Sequence, residues 1–89
     1  MQAFVLVQTE SNREPIAATL RGIEGVISAE DLTGPYDAIA LAQSDSSRRL
    51  SEQVVESIRH IPGVIRAISA PLIGSVRSRL EMAGTVEAA

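Results

Sequence analysis

Two kinds of hydrophobic spacing alternate along the chain. Contiguous apolar runs at residues 3–7, 26–27, 38–42 and 64–65 are rich in aliphatic side chains and favour strands. Between these runs, apolar residues recur every three or four positions, as they do on the buried face of a helix. The pattern predicts the order strand, helix, strand, strand, helix, strand. The helical positions are Ile16, Leu20 and Ile23 in the first stretch, and Leu50, Val54, Ile58 and Ile61 in the second.

The chain contains two copies of one unit. Residues 20–29, L-R-G-I-E-G-V-I-S-A, return as residues 58–67, I-R-H-I-P-G-V-I-R-A, with six identical positions among ten. Upstream, F-V-L-V-Q-T-E-S at residues 4–11 matches I-A-L-A-Q-S-D-S at residues 39–46. Two β-α-β units in tandem give the order βαββαβ. This order predicts a ferredoxin-like α+β fold, an α/β sandwich with an antiparallel sheet.

Local signals mark where each helix begins and ends. Proline suits the first turn of a helix, serine and aspartate suit the N-cap, and glycine or Pro-Gly stops a helix. We therefore expect one helix to begin near Pro15 and end at Gly22 to Gly25, and the other to end at Pro62-Gly63. The N-cap candidates of the second helix are Asp45, Ser46 and Ser47.

The predicted topology places the first and third strands in the middle of the sheet and the second and fourth at its edges. Glu30 and Asp31 fall in or beside the second strand, and Pro71 falls in the fourth. A charge or a missing backbone N–H is best tolerated on an edge strand. The positions of these residues therefore agree with the topology.

The central strands are apolar on both faces, although two helices can cover only one. In the third strand, small alanines alternate with the bulkier Ile39 and Leu41, as close packing on one side requires. The other face needs a cover, and a second copy of the chain is the simplest one. We expect a dimer that forms through the sheet faces. The alanines are Ala38, Ala40 and Ala42.

Composition narrows the function further. The chain has 89 residues, one domain's worth, with no cysteine and a net charge of −3. Disulfides and thiolate metal sites are excluded, and no basic patch suits direct binding of nucleic acid. The N-terminus shows neither a signal peptide nor a membrane span, so we expect a soluble protein of the cytoplasm. No metal site or cofactor is predicted.

The arrangement resembles the effector-binding domain of the Lrp/AsnC transcriptional regulators. The resemblance is carried by G-V segments after each helix, at Gly25-Val26 and Gly63-Val64, and by the turn T-G-P-Y-D at residues 33–37. It covers roughly residues 3–74, so residues 1–74 are assigned to the domain and residues 75–89 to a tail. Within the tail, a short helix is expected at residues 76–82. Because the helix-turn-helix is missing, the chain resembles the stand-alone members of the family.

The resemblance implies binding of an amino acid between dimers that assemble into rings, commonly of four dimers. Carried over to this sequence, the effector site comprises Thr33, Gly34, Tyr36, Asp37 and Ser69, with Asp37 receiving the ammonium group. Three of these residues also have a plainer structural role: Gly34 as a turn glycine, Asp37 as an acceptor closing the turn, and Tyr36 as a lid on the sheet edge. Ser69 stands where the family often has a pair of hydroxyl residues.

Two other functions remain open. Dimeric ferredoxin-like domains include cofactor-independent monooxygenases and isomerases, but the expected cleft is aliphatic, and no catalytic residue is identified. The only histidine, His60, lies at a helix end, where a structural role is expected. The chain can also be an assembly partner of a full-length Lrp/AsnC-type regulator. The identity of the effector does not follow from the sequence.

Overall fold

The computed structural model describes residues 1–10 and 14–72, which form one antiparallel sheet with helices packed on one face. The predicted helix at residues 76–82 lies outside this range. The strands are β1 (Gln2–Thr9), β2 (Val26–Asp31), β3 (Ala38–Gln43) and β4 (Val64–Pro71). The helices are α1 (Ala17–Arg21), α2 (Ser47–Arg49) and α3 (Glu56–Arg59), with a π-helix (Leu50–Val55) joining α2 to α3.

The order of the strands in the sheet is β2-β3-β1-β4, which confirms the predicted topology. β1 and β3 pair in the middle with Val5 opposite Ala40, while β2 and β4 form the edges. Glu30 and Pro71 lie on these edge strands. The ferredoxin-like α+β class is therefore confirmed, and its cause is the duplicated β-α-β pattern.

Each edge strand contains a β-bulge at the same place in its unit. Between Val26 and Ser28, the partner in β3 advances by only one residue, from Ala42 to Leu41. Ile27 is therefore the extra residue. In β4 the same irregularity makes Ile65 the extra residue, and both isoleucines are exposed, by 52% and 61%. The duplication thus extends to the irregular parts of the backbone.

The core lies between the sheet and the helices. Leu20 of α1 and Ile58 of α3 are completely buried, and they pack over a sheet face made mostly of alanine and valine. The small side chains let the helices approach the sheet closely. The buried apolar residues of the described sheet are Ala3, Val5, Val7, Ala29, Ala38, Ala40, Ala42 and Ala67.

The opposite face of the sheet carries no helix in the described part of the chain. In the central strands, Phe4 lies opposite Leu41, and Leu6 lies opposite Ile39; all four are half-buried. Ile68 of β4 lies beside Leu6 and is 41% exposed. An apolar surface therefore runs across the middle of this open face. Its bulky side chains contrast with the small ones of the helix face, as the sequence predicts.

The second helical segment, residues 47–59, begins as predicted but contains an unpredicted π-helix. Ser46 is the N-cap, and its side-chain oxygen accepts the N–H of Arg49 at 3.2 Å. Within the π-helix the consecutive residues Val54 and Val55 are both buried. Adjacent residues can also share the buried face of an α-helix, so this burial pattern alone does not mark the wider turn of a π-helix. The periodicity of the sequence therefore predicted the helix but not its local widening.

No helix among residues 1–10 and 14–72 is long and apolar enough to cross a membrane.

Candidate functional site

The turn between β2 and β3 contains the sequence T-G-P-Y-D. Thr33, Gly34 and Pro35 are exposed, while Tyr36 and Asp37 are half-buried. Gly34 has φ of +128°, and a Cβ atom there would meet nothing within 4 Å. Glycine is therefore required by the backbone conformation, and the space beside it is open.

The turn is held firmly by the backbone at both ends. The N–H of Leu32 donates to the carbonyl of Asp37 at 2.8 Å, which closes the turn. The N–H of Asp37 donates in turn to the carbonyl of Val7 in the central strand, also at 2.8 Å. The position of Asp37 is consequently fixed by the sheet, and its carboxylate is presented in a defined place.

The carboxylate of Asp37 has a structural bond of its own. Its Oδ2 accepts the backbone N–H of Thr9 at 2.7 Å, where β1 ends. The expected role as an acceptor for backbone N–H groups is therefore present, although the donor belongs to another strand and not to the turn itself. This bond holds one carboxylate oxygen at the end of the central strand.

A second carboxylate, that of Asp31, contacts the beginning of α1. Its Oδ1 accepts the N–H groups of Ile16 and Ala17 at 2.9 and 3.0 Å. The residue at the N-cap position, Ile16, has no side-chain acceptor, so Asp31 supplies one from the end of β2. The sequence placed Asp31 correctly at the edge of the sheet but gave no sign of this capping role.

A cavity of about 250 Å³ lies between the end of β1, the beginning of α1 and the β2–β3 turn. Three carboxylates contribute to its wall, those of Glu14, Asp31 and Asp37. Among residues 1–10 and 14–72, the residues that line the cavity include acids but no lysine or arginine, so this described part of the wall favours a cationic group. It is lined by Thr9, Glu14, Pro15, Ile16, Asp31, Leu32, Thr33 and Asp37.

The structure brings together only some of the predicted site residues. Thr33 and Asp37 line the cavity, whereas Gly34 and Tyr36 are in the same turn but outside its lining. Ser69 is exposed on β4 and pairs with Val5 of β1. Two strands, β3 and β1, separate β4 from the strand that leads into the turn. In the described part of the chain, Ser69 is not among the residues that line the cavity.

A separate groove follows the outer side of the π-helix. Its volume is about 540 Å³, and it is lined by Glu24, Arg49, Glu52, Gln53 and Ser57. The Arg49 guanidinium lies 3.6 Å from the carboxylate of Asp45, and both side chains are largely exposed. Among residues 1–10 and 14–72, no group of three or more His, Cys, Asp or Glu side chains could hold a metal ion.

The family model of the Lrp/AsnC ligand binding domain matches residues 2–81. No curated protein matches the sequence at a significant level. Several solved structures do match at a significant level, and this chain covers more than nine-tenths of some of them.

TTHA0845 from Thermus thermophilus is 27% identical, with a TM-score of 0.72 over 83% of this chain and 94% of that one. The hypothetical protein PHS023 from Pyrococcus horikoshii is 25% identical, with a TM-score of 0.70 over 85% of this chain and 93% of that one. Both similarities extend over nearly the whole neighbouring chain. They support a common domain fold.

Longer regulators are also similar. The leucine response regulatory protein LrpA of Mycobacterium tuberculosis is 27% identical, with a TM-score of 0.71 over 84% of this chain. The transcriptional regulator NMB0573 of Neisseria meningitidis, solved as a complex with L-Met, is also 27% identical, with a TM-score of 0.69 over 84% of this chain. This chain spans 51% of each of these two proteins. Because the family model covers most of the sequence, the chain belongs to the Lrp/AsnC ligand-binding domain family.

Proposed function

We propose that this chain is a non-catalytic sensor subunit that binds an amino-acid-type effector at the β2–β3 turn and regulates transcription or metabolism indirectly. The observation that carries the proposal is the cavity beside the exposed turn, whose wall includes Asp37, Asp31 and Glu14. Its volume of about 250 Å³ is below the roughly 300–1,000 Å³ of pockets for drug-sized ligands, which suits a small metabolite. The complex of the Neisseria regulator with L-Met supports the same chemical class.

The charges of the cavity suit one end of an amino acid. An ammonium group next to Asp37 gains charge-assisted hydrogen bonds while the bond from Thr9 to the same carboxylate is kept. The carboxylate end of the amino acid needs N–H donors, and the turn opened by Gly34 exposes its backbone on the outer side. The turn therefore has suitable groups for both ends of the ligand.

The site is completed by other subunits in this proposal. Ser69 does not line the cavity at the turn, so in this proposal it contacts the effector from another chain. The half-buried Tyr36, next to the turn, then lies at a contact between dimers. A ring of dimers, such as an octamer, provides contacts of this kind.

A second copy is also the proposed cover for the open face of the sheet. Phe4, Leu6, Ile39 and Leu41 form a continuous apolar surface, with Ile68 at its side. A surface of this kind is costly to leave in water. We expect light scattering at micromolar concentration to show at least a dimer. A stable, folded monomer would contradict this part of the proposal.

Ring formation is tested separately from dimer formation. Tyr36→Glu places a charge at the proposed contact between dimers, so it should reduce a larger assembly to dimers without unfolding the chain. Leu6→Asp should instead disrupt the dimer itself. If Tyr36→Glu leaves the mass of the assembly unchanged, Tyr36 is not at the contact between dimers.

The effector is identified by a thermal-shift screen of the standard amino acids, combined with measurement of the mass of the assembly. With the best ligand, calorimetry on Asp37→Asn tests the site. Asparagine keeps an oxygen for the N–H of Thr9 but removes the charge. Because charge-assisted hydrogen bonds are worth about 1.5–3 kcal/mol, affinity should fall about tenfold or more.

Asp45→Asn is the matched control. Asp45 is an exposed acid that does not line the cavity, so its replacement should leave affinity unchanged. Equal affinity of the wild type and Asp37→Asn would rule out the ammonium site. A large loss of melting temperature for Asp37→Asn without ligand would show that the aspartate mainly holds the end of β1.

An assembly role with a full-length regulator is the second candidate. The observation in its favour is the open apolar face of the sheet, which the similar domain of a full-length regulator could cover as well as a second copy. Co-expression with a full-length regulator of the family distinguishes this function. Mixed oligomers that form without any amino acid would support it.

A further inference from the structure

The two edge strands are each contacted by an arginine from the helical segment that precedes them. Arg21, the last residue of α1, donates to the carbonyl of Ala29 in β2 from Nε at 3.1 Å and from Nη2 at 2.7 Å. Arg59, the last residue of α3, donates from Nη2 to the carbonyl of Ala67 in β4 at 3.3 Å. These residues occupy equivalent positions in the two repeats, so the contact is present in both copies.

An edge strand exposes backbone groups that can pair with a strand of another chain. In β2 and β4, an arginine occupies one such carbonyl in the middle of each strand. The bulge at Ile27 or Ile65 interrupts regular pairing two residues earlier. In β4, Pro71 in addition has no N–H to donate. Each edge therefore combines two or more features that oppose strand addition.

We propose that Arg21 and Arg59 close the two edges of the sheet against a second copy of this chain, so that copies cannot join edge to edge into a continuous sheet. The partner that is excluded has the same chemistry as the edge itself, an unpaired strand with free N–H and carbonyl groups. This closure acts on the edges, whereas the proposed dimer uses the face. It does not depend on any effector.

The two closures differ in strength. Arg21 directs two donors at one carbonyl, whereas Arg59 uses one donor at a longer distance and shares its guanidinium with Glu56, at 3.0 Å. A guanidinium that donates twice in one plane is held more firmly than one that donates once. We therefore expect the loss of Arg21 to increase the mean mass of the assembly more than the loss of Arg59 does.

The test uses Arg21→Met, Arg59→Met and the double variant. Methionine keeps much of the aliphatic stem but has no N–H donor. The double variant should form species with at least about twice the wild-type mean mass, which grow with concentration, because edge strands template further strands. Arg48→Met is the control, since Arg48 is an exposed helix residue paired with Glu52 and its loss removes the same charge.

A rescue variant distinguishes edge pairing from unspecific aggregation. Lysine on an edge strand opposes strand addition. Adding Ile27→Lys to Arg21→Met should therefore return the mean mass to the wild-type value. The proposal would be overturned if the mean mass of the rescue variant still increased with concentration. It would also be overturned if the double methionine variant kept the wild-type mass.

A measurement on the wild type covers the case in which the methionine variants do not fold. In NMR spectra, the Nε–H of Arg21 should exchange with solvent several-fold more slowly than that of Arg66, an exposed side chain that makes no hydrogen bond within residues 1–10 and 14–72. Equal exchange rates for the two side chains would show that Arg21 does not hold the edge in solution.

Discussion

The two β-α-β units have the same backbone geometry where their edge strands begin, but they differ where their helices begin. Gly25 and Gly63 have φ of +96° and +91°. The carbonyl of Gly25 accepts the N–H of Gln43 at 2.7 Å, and that of Gly63 accepts the N–H of Glu10 at 2.8 Å. In both units, the glycine thus ties the beginning of an edge strand to the residue at or after the end of a central strand.

The units differ in how their helices begin. The second helical segment is capped by Ser46, a neighbour in sequence, whereas α1 is capped by Asp31 from the end of β2. The acidic cavity lies where Asp31 reaches across to α1. The duplicated parts of the chain therefore form the scaffold, and the candidate site lies where the two units differ.

The largest loss of stability is expected when the two equivalent glycines are replaced, and it should be larger for Gly25 than for Gly63. In Gly25→Ala, the new Cβ would lie 2.6 Å from Val54 Cγ2 and 3.2 Å from the carbonyl oxygen of Gln43. Overpacking of about 1–3 kcal/mol then adds to a backbone strain of about 1–3 kcal/mol. Gly63→Ala is expected to show at least the strain. Urea denaturation should rank Gly25→Ala as the less stable variant; equal losses would mean that Val54 moves aside.

The intermediate effect concerns the remote cap. Asp31→Ala removes the acceptor of two N–H groups, so it should lower the free energy of unfolding by about 2 kcal/mol. Asp31→Asn keeps an oxygen acceptor and should lose less. Hydrogen exchange at Ile16 and Ala17 should become faster in Asp31→Ala. If these amides keep their protection, the cap is not important for α1.

The smallest effect concerns the local cap of the second unit. Ser46→Ala removes one exposed hydrogen bond of 3.2 Å, and the expected loss is about 0.5–1 kcal/mol. Ser47→Ala, at the first helical position, is the control and leaves the cap in place. A loss for Ser46→Ala as large as that for Asp31→Ala would remove the difference between local and remote capping.

The sequence predicts the scaffold better than the site. Breakers such as Pro62-Gly63 and the cap Ser46 act on neighbouring residues, so a local pattern reveals them. Asp31 caps a helix that begins 14 residues earlier, and only the folded topology brings the two together. Asp37 was recognised, but its donor, Thr9, lies on another strand. Ser69 was assigned to the same effector site between dimers, and this assignment stays a prediction because it depends on contacts between chains.

The alanine-rich floor under the helices has a calorimetric consequence. Alanine exposes little hydrocarbon when a chain unfolds, and exposed hydrocarbon is the main source of the increase in heat capacity. A core built on Ala38, Ala40 and Ala42 should therefore give a small increase per residue and a shallow dependence of stability on temperature. In a face-to-face dimer, the bulky open face contributes the remaining heat capacity. Because unfolding of such a dimer also separates the two chains, the midpoint of melting should rise with protein concentration.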